Sequence, residues 1–361
     1  MEADYLVVGS GLTGATIARE LADHGRDVVV IERRPEVGGN LHDTVHSSGI
    51  RIHTYGPHYF RTSSDHIWNY VRRFADFYPF EAVLMSEIDD RLEHWPVHAE
   101  YIARCIGADW RPSHIGPAAN FEEASLAMMP ALVYEKFVKG YTAKQWGVAP
   151  RTLAAGLAGR FDVRRNGDTR LKTSRFQGIP YGGYGAMMRQ MLAGIRVVCG
   201  TDYLQHRGNF SARRGVFFTG PIDEYFGFDL GRLAYRGQHR DHRYLPDTQW
   251  HQPTSQTNHP DPAVSAIRTL EWKHMMEPAL RDTLPGTVIT TETPYTPDEP
   301  GDYEYPFPDA ANQALYARYR ERADATPGLV MCGRLGDYRY YDMDQAIGRA
   351  LTLVRRYCGD Q

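Results

Sequence analysis

The hydrophobic pattern at the start of the chain switches from strand spacing to helix spacing and back. Residues 5–8 and 28–31 are short apolar runs typical of buried strands. Between them, apolar residues from 15 to 21 recur at helical intervals, and Gly25 stands where that helix ends. The pattern predicts a β–α–β unit at the start of an α/β fold.

A glycine-rich turn connects the first predicted strand to the helix, and Glu32 follows the second strand. Gly9 makes the turn, Gly11 lets backbone N–H groups approach a pyrophosphate, and Gly14 lets the helix pack closely on the strand. The helix N-terminus attracts phosphates, and Glu32 takes the adenosine ribose hydroxyls, which argues against a 2′-phosphate. This predicts a Rossmann-like dinucleotide-binding domain; the alternative is a glycine-rich loop that binds nothing.

Two further features favour FAD over NAD. A glycine pair ending at Gly39 follows the second strand, as is usual where the pyrophosphate and ribityl chain of FAD continue across a protein. Near the C-terminus, the apolar run 328–332 predicts a late strand, Gly333 follows it, and a helix opens at Asp342 and Met343. The two ends of the chain are therefore predicted to form one FAD-binding domain.

The middle of the chain predicts two inserted lobes. Residues 64–80 and about 98–142 show helical spacing, and short strand-like runs fill much of 195–295. The predicted units are a discontinuous FAD-binding domain (1–62, about 180–220 and 325–361), a helical lobe with a mobile arginine loop (about 63–165) and an antiparallel β-sheet lobe (about 221–324).

Composition excludes several classes of protein. The 361 residues carry 41 Lys and Arg against 44 Asp and Glu, so net charge favours neither nucleic acid nor an anionic membrane. No apolar run approaches the roughly 18 residues of a membrane span. The N-terminus shows no signal peptide, and four widely spaced cysteines are typical of a reduced, cytoplasmic protein. No histidine pair forms the HExxH motif, so no metal site is predicted.

Several clusters in the later chain suit a ligand with rings and phosphates. Residues 139–147 combine two aromatic side chains with glycine, which favours stacking on a base or sugar; an aromatic-capped helix end is the alternative. Arg160 follows hinge-like glycines, and such a loop clamps a diphosphate; a solvated face is the alternative. Arg236 and Arg268 are single arginines in strand-like context, and the tyrosines of 338–341 can donate to phosphate oxygens.

Together, these stretches resemble the UDP-galactopyranose mutase family over almost the whole chain. The matching segments are 8–15, 38–40, 55–58, 140–147, 177–180, 182–184, 219–223 and 333–344. The resemblance implies an isomerase that converts a nucleoside-diphosphate hexopyranose, UDP-galactopyranose or a close analogue, into the hexofuranose without net redox change. It implies reduced FAD, whose N5 attacks the anomeric carbon and displaces the nucleoside diphosphate. It also implies NAD(P)H or another reductant and, as in bacterial members of the family, a homodimer.

The resemblance assigns roles to individual residues. Arg160 and Arg268 match two catalytic arginines that bind the diphosphate, and His58 matches a histidine on a loop over the flavin. The expected substrate-binding residues are Phe137, Tyr141 and Thr142 (uridine), Trp146 (sugar), Arg236, Tyr305, Tyr340 and Arg61. The expected cofactor-binding residues are Gly9, Gly11, Leu12, Thr13, Gly14, Glu32, Arg33, Gly39, Asn40, Arg334, Asp342 and Met343.

Four departures from the family pattern leave the substrate open. Arg61 replaces a histidine and Leu171 a phosphate-binding tyrosine. His94 replaces an asparagine near the flavin, and Glu304 replaces the first tyrosine of a Tyr-Tyr-Pro step. The intact uridine platform favours UDP-galactose bound by rearranged contacts. The alternative is a modified sugar or another nucleotide, UDP-N-acetylgalactosamine or a dTDP-sugar, because the planar cation of Arg61 suits an acyl oxygen or a carboxylate. An FAD oxidoreductase and a non-catalytic nucleotide-sugar-binding protein are the competing classes.

Overall fold

The computed structural model describes residues 1–359, apart from the side chain of Arg160. In chain order, the strands of this part are β1 (Glu2–Val8), β2 (Val28–Ile31), β3 (Asp43–Val45), β4 (Arg51–His53), β5 (Phe60–Thr62), β6 (Phe77–Pro79), β7 (Leu84–Ile88), β8 (Arg91–Trp95), β9 (Val97–His98), β10 (Val163–Arg164), β11 (Phe176–Pro180), β12 (Arg196–Val198), β13 (Ser211–Phe218), β14 (Tyr235–Leu245), β15 (Gln256–Asn258), β16 (Arg268–Glu271), β17 (Thr287–Tyr295), β18 (Tyr305–Pro306) and β19 (Leu329–Met331). The α-helices are α1 (Leu12–Asp23), α2 (Asp65–Val71), α3 (Ala99–Ile106), α4 (Phe121–Leu126), α5 (Ala131–Val133), α6 (Gly140–Trp146), α7 (Gly183–Met191), α8 (Ile222–Tyr225), α9 (Pro278–Arg281), α10 (Ala310–Asp324), α11 (Gly333–Gly336) and α12 (Met343–Cys358).

Five parallel strands, in the order β12-β2-β1-β13-β19, form the sheet that the N-terminal pattern predicts. Successive side chains of β1 point to opposite faces of the sheet. Tyr5 and Val7 pack in the core cluster that contains residues of α1, α7 and α12, whereas Leu6 packs on the other side in a cluster with Tyr319 of α10. Helices therefore cover both faces, and the predicted α/β class is confirmed.

A seven-stranded sheet, in the order β18-β14-β17-β16-β15-β7-β8, forms the second layer. Its neighbours are antiparallel except β15 and β7, which are parallel. The hairpin β7–β8 lies within the stretch expected to be a helical lobe. Asp89 and Asp90 connect its strands with φ angles of +50° and +59°, as in the tight turns that match the twist of a hairpin.

The predicted helices of 64–80 and 98–142 are shorter than expected. Helix α2 ends at Val71, and β6 joins β11 and β5 in a three-stranded antiparallel sheet. Pro112, Pro117 and Pro130 interrupt the later stretch, because proline cannot donate the backbone hydrogen bond that a helix interior requires. Helix α5 nevertheless continues through a π-helical turn, Tyr134–Lys139, into α6, and this long element carries Phe137 and Tyr141.

The long element and its neighbours have a hydrophobic core of their own. Ile102 of α3, Phe121 of α4 and Val133 of α5 are buried there, with Phe137 of the π-helical turn. Among the described helices, none is both long enough and apolar enough to cross a membrane.

Candidate active site

The glycine-rich turn lies at the carboxyl ends of the parallel strands, where it lines a first cavity with Val8, Ile31 and Phe218. Gly9 has a φ of +98°, and a Cβ at this position would lie 2.0 Å from Thr219 Oγ1. A Cβ on Gly14 would lie 1.9 Å from the carbonyl oxygen of Gly9. Only glycine at these two positions lets α1 begin so close to β1.

The N-terminus of α1 opens into the first cavity. Gly11 is the N-cap residue and contributes no side chain, and the first turn carries no acidic residue. Leu12 and Thr13 line the cavity, as does Gly39 on the opposite side. A Cβ on Gly39 would lie 2.9 Å from the Cα of Gly11, so two backbone segments approach each other here. Unpaired N–H groups at a helix start, with no acid nearby, fit a pyrophosphate.

Glu32 is 5% exposed at the end of β2 and lines the same cavity. Its Oε2 accepts hydrogen bonds from the N–H (2.8 Å) and the Oγ (2.6 Å) of Ser10, and its Oε1 accepts one from the N–H of Arg34 (2.9 Å). A carboxylate offers about four acceptor positions, so these bonds fix the group and leave room for a ribose hydroxyl.

Arg33 and Asn40 also line the first cavity, and the protein holds both side chains. Arg33 Nη2 lies 2.8 Å from a carboxylate oxygen of Glu224, and Asn40 Oδ1 accepts a hydrogen bond from Arg34 (3.1 Å). The first cavity therefore presents a backbone cradle, a ribose acceptor and fixed polar walls. These features fit an adenine dinucleotide.

A second cavity adjoins the first. Four residues line both cavities: His58, Arg334, Tyr341 and Met343. Arg334 of α11 is fixed by a hydrogen bond to the carbonyl oxygen of Tyr341 (3.2 Å), and Met343 is the first residue of α12. The reactive end of a bound dinucleotide would meet a substrate at this junction.

His58 is half-buried at the junction, and its Nδ1 has no hydrogen-bond partner among the described residues. Burial, assisted by the positive charge of Arg334, lowers its pKa to about 3. Its backbone N–H donates to Nδ1 of His53 (3.0 Å), which fixes the loop. At neutral pH His58 is therefore a neutral ring that can donate or accept a hydrogen bond.

A row of charged side chains crosses three strands behind the second cavity. Glu292 of β17 is directly opposite Arg240 of β14 on one side and Arg268 of β16 on the other. One carboxylate oxygen of Glu292 accepts from Arg240 Nε (3.0 Å), and the other accepts from Arg268. Arg240 also donates two 2.8 Å hydrogen bonds to the carboxylate of Glu304. Arg268 and Glu304 line the cavity.

This row keeps Arg268 charged and fixed. Burial alone would raise the pKa of Glu292, but Arg268 and Arg240 outweigh it and lower the pKa. Burial alone would likewise lower the pKa of Arg268, but Glu292 raises it. The guanidinium of Arg268 is thus a permanent cation at the cavity surface, suited to an anionic ligand.

Aromatic hydroxyls and a further arginine complete the second cavity. Tyr305 and Tyr340 stack with ring centroids 6.2 Å apart, and the Arg334 guanidinium lies 4.7 Å from the Tyr340 ring. Arg61 Nη2 lies 3.0 Å from Oδ2 of Asp342, the N-cap residue of α12. Asp342 lines the second cavity rather than the first, where the sequence placed it as a cofactor contact.

Phe137 and Tyr141 line the second cavity, but Thr142 and Trp146 are not among its described lining residues. Thr142 and Trp146 are four residues apart on α6 and share its buried face. The Trp146 ring packs edge-on against Phe307, with centroids 5.8 Å apart. Both side chains pack the helix in this structure, and their contact with a substrate stays a prediction.

Arg236, a predicted substrate-binding residue, is also held by protein groups. It is 6% exposed, and its guanidinium donates to the carbonyl oxygens of Gln145 (2.8 Å) and Lys144 (3.1 Å) and to Thr296 Oγ1. It is not among the described residues that line the second cavity. Its donors satisfy the C-terminal end of α6, and the phosphate contact of Arg236 stays a prediction.

Arg160 ends a 3₁₀ segment, Ala155–Arg160, and its side chain lies outside the described residues, so its predicted role stays a prediction. Of the departures from the family pattern, Leu171 lines the second cavity. His94 stacks on His98 with centroids 5.0 Å apart and is not among the described lining residues of either cavity.

The lining residues of the second cavity that sequence reasoning missed include Tyr59, Gln256 and Asn258. Gln256 donates to Asn258 (2.7 Å), and the two alternate along β15 on the face that carries Arg268 of β16. The available signal was an alternating pair of amides in a buried strand. Buried amides need partners, so such a pair favours a polar site.

Comparisons with known proteins agree with this geometry. A model of the UDP-galactopyranose mutase family matches residues 136–340, and a model of an NAD(P)-binding Rossmann-like domain matches residues 7–74. A probable UDP-galactopyranose mutase from Klebsiella pneumoniae is 31% identical, with 98% of this chain and 94% of that protein covered. A dTDP-fucopyranose mutase from Escherichia coli is 29% identical, covering 98% and 97%.

A solved structure of reduced UDP-galactopyranose mutase superposes with a TM-score of 0.77 at 13% identity, covering 98% of this chain and 95% of that one. At this identity the superposition shows a shared fold. Since the family model covers more than half of the chain and the Klebsiella relative spans nearly all of it, the chain belongs to the UDP-galactopyranose mutase family and is an isomerase.

Proposed function

We propose that this protein contracts the ring of a nucleoside-diphosphate hexopyranose to the hexofuranose, with FAD in the first cavity and the nucleotide sugar in the second. The observation that carries the proposal is the junction of the two cavities at His58, Arg334, Tyr341 and Met343. A dinucleotide cradle lies on one side of the junction, and a fixed cation with phenol hydroxyls lies on the other. An isomerase that displaces and returns a diphosphate needs both.

The residues of the first cavity hold the cofactor. The N-terminus of α1 binds the pyrophosphate, and Glu32 accepts the ribose hydroxyls. Arg33 and Asn40 form the walls, and Arg334 reaches the junction. FAD held there and reduced by NAD(P)H or another reductant would supply the nucleophile for the anomeric carbon.

The residues of the second cavity manage the leaving group. When the bond between the anomeric carbon and the diphosphate breaks, the electron pair goes to the diphosphate oxygen. Arg268, held by Glu292, stabilises that negative charge, and Tyr305 and Tyr340 donate hydrogen bonds. Because the diphosphate returns to the same carbon after ring closure, it has to stay bound throughout the reaction.

Ring contraction itself moves one proton. The bond between the anomeric carbon and the ring oxygen breaks, and that oxygen, which stays on carbon 5, gains a proton. The 4-hydroxyl loses its proton and bonds to the anomeric carbon. His58 is neutral at the junction and can accept or donate at its ring nitrogens. Trp95, Phe137 and Phe161 line the second cavity and exclude water from the open-chain sugar.

For the substrate, we favour UDP-galactopyranose. Phe137 and Tyr141 provide the aromatic wall that the resemblance assigns to uridine, and the Klebsiella relative carries the name of that mutase. The Escherichia coli relative is named for dTDP-fucopyranose, and that nucleotide sugar is the alternative substrate.

The test is chromatographic. Dithionite-reduced protein is incubated separately with UDP-galactopyranose and with dTDP-fucopyranose, with oxidised protein as the control. A second UDP-sugar peak that requires reduction supports the proposal. A product from dTDP-fucopyranose alone moves the substrate to the alternative, and no product from either, with FAD and UDP bound, contradicts the proposed reaction.

A further inference from the structure

One wall of the second cavity is formed by the short segment around β5. Tyr59 and Arg61 line the cavity, whereas Phe60, between them, is fully buried on the other side. This alternation is that of a strand, and β5 is held in register by pairing with β11, where Arg61 is opposite Gln177. The segment therefore presents one phenol and one guanidinium to the cavity on a fixed backbone.

Two contacts hold the Tyr59 ring. On one side, the ring of Phe80 packs against it with centroids 5.6 Å apart. On the other side, the Arg61 guanidinium lies 5.6 Å from its centroid, and Arg61 is itself tied to Asp342 by the 3.0 Å ion pair. The ring is thus clamped between an aromatic neighbour and a tethered cation.

The Tyr59 hydroxyl is a donor without an acceptor. It makes no hydrogen bond to any other described group. Burial raises the pKa of Tyr59 to about 12, so the hydroxyl keeps its proton at neutral pH, and both Arg61 and Arg268 lie close enough to oppose that rise. The charge of Asp342 also acts on Tyr59, but its Oδ2 accepts from Arg61. A protonated phenol beside two guanidiniums is a donor suited to an anionic ligand.

We propose that Tyr59, positioned by the Arg61–Asp342 pair, donates a hydrogen bond to the diphosphate of the bound nucleotide sugar. This rests on the proposed function and deepens it. Tyr59, from the β5 segment, and Arg268, from the seven-stranded sheet, then both contact the diphosphate. Arg61 acts through Tyr59 and is a positioning residue.

The experiment measures binding by calorimetry with the oxidised holoenzyme and two probes, UDP and uridine. Tyr59→Phe removes only the hydroxyl, and Tyr181→Phe, at a residue that is 50% exposed and outside both cavities, is the matched control. A hydrogen bond to a charged group corresponds to roughly a 10-fold to 100-fold change in Kd. We expect Tyr59→Phe to weaken UDP by about 10-fold or more and to leave uridine unchanged.

The outcomes separate the inference from the proposed function. If Tyr59→Phe binds UDP as tightly as wild type, or loses UDP and uridine equally, the diphosphate contact is wrong. The proposed function would be unaffected, because it is tested separately by the chromatographic assay of wild-type turnover. If the wild-type holoenzyme binds no UDP, both the inference and the proposed uridine nucleotide fail.

The positioning role of Arg61 has its own readout. Arg61→Lys keeps the charge but loses the planar fork that contacts Asp342 and covers the Tyr59 ring. If Arg61 acts through Tyr59, Arg61→Lys weakens UDP in the wild-type background but costs nothing further in Tyr59→Phe. Additive losses would mean that Arg61 contacts the ligand directly, and the positioning role would be wrong.

Discussion

The two cavities differ in the protein groups that form their walls. The first is formed largely by backbone: a turn of six residues, the N-terminus of α1 and the facing Gly39. The second is formed by side chains from distant parts of the chain, including β5, α6, β15, β16 and β18. In the first, an anion meets N–H groups that any sequence would supply once the glycines allow the approach. In the second, every polar contact depends on one named side chain.

The difference also appears in how charge is held. The first cavity offers a helix terminus and one buried carboxylate, Glu32, already fixed by Ser10. The second relies on cations, two of which are held by carboxylates: Arg268 by Glu292 and Arg61 by Asp342. Binding in the first cavity should therefore be lost when an added side chain blocks the backbone. Binding in the second should be lost when a charged side chain or its partner is removed.

The largest expected effect is at Gly14. A Cβ there meets the Gly9 carbonyl oxygen at 1.9 Å, and Gly14→Val adds two further methyl groups, so α1 has to move away from β1. We expect a loss of about 4 kcal/mol or more in the free energy of unfolding, and purification without bound flavin. Thermal unfolding and the absorbance of flavin per protein measure both. Gly208→Ala, where a Cβ meets open space, is the control and should change neither.

The effect of Glu292→Gln on the second cavity can also be measured as a change in the free energy of unfolding. The substitution keeps the shape but leaves the buried guanidiniums of Arg240 and Arg268 without their shared anion. Removing one partner of a buried ion pair costs about 3–5 kcal/mol, measured here by guanidinium unfolding. Glu93→Gln breaks the exposed pair with Arg104 and should cost under about 1 kcal/mol. Equal losses in the two variants would show that the row of charges is not energetically special.

The same contrast explains which parts the sequence could predict. The β–α–β unit and Glu32 depend on residues that are close in the chain, so their spacing carries the geometry. The contacts of Trp146 and Arg236 could not be predicted, because residue type and family position do not specify which way a side chain points. In the structure the Trp146 ring packs against Phe307, and Arg236 donates to a carbonyl at the end of α6.

The pairing of strands that are distant in the chain could not be predicted from the sequence either. Hairpin β7–β8 depends on a turn of two aspartates with positive φ, a weaker signal than the Asn-Gly turns that mark such hairpins. Asn258 and Gln256 belong to the site only because β15 lies between β16 and β7. No local pattern specifies that order of strands.

Two arginines of the seven-stranded sheet differ in the groups they contact. Arg268 lines the cavity, whereas Arg236 caps α6, and lysine keeps the charge of each but not the fork. We expect Arg268→Lys to lower kcat/KM by about 100-fold, or ~3 kcal/mol, with little change in Tm. Arg236→Lys should lower the free energy of unfolding by about 1–3 kcal/mol and affect kcat/KM much less. If Arg236→Lys lowered kcat/KM and Arg268→Lys lowered only stability, Arg236 rather than Arg268 would contact the substrate.

His58 lines both cavities, and it provides the smallest and most specific test. Its pKa is about 3 in the folded protein and ordinarily about 6.5, so between these values the unfolded chain binds a proton that the folded chain does not. The stability this residue contributes is therefore complete above about pH 6.5 and decreases as the pH falls toward 3. We expect wild type to lose about 1.5 kcal/mol more than His58→Asn between pH 6.5 and pH 5, measured by urea unfolding. The exposed His66→Asn should follow wild type. If His58→Asn also followed wild type, His58 would be solvated and charged at pH 5, and the junction of the two cavities would be wet rather than the dry site that the open-chain sugar requires.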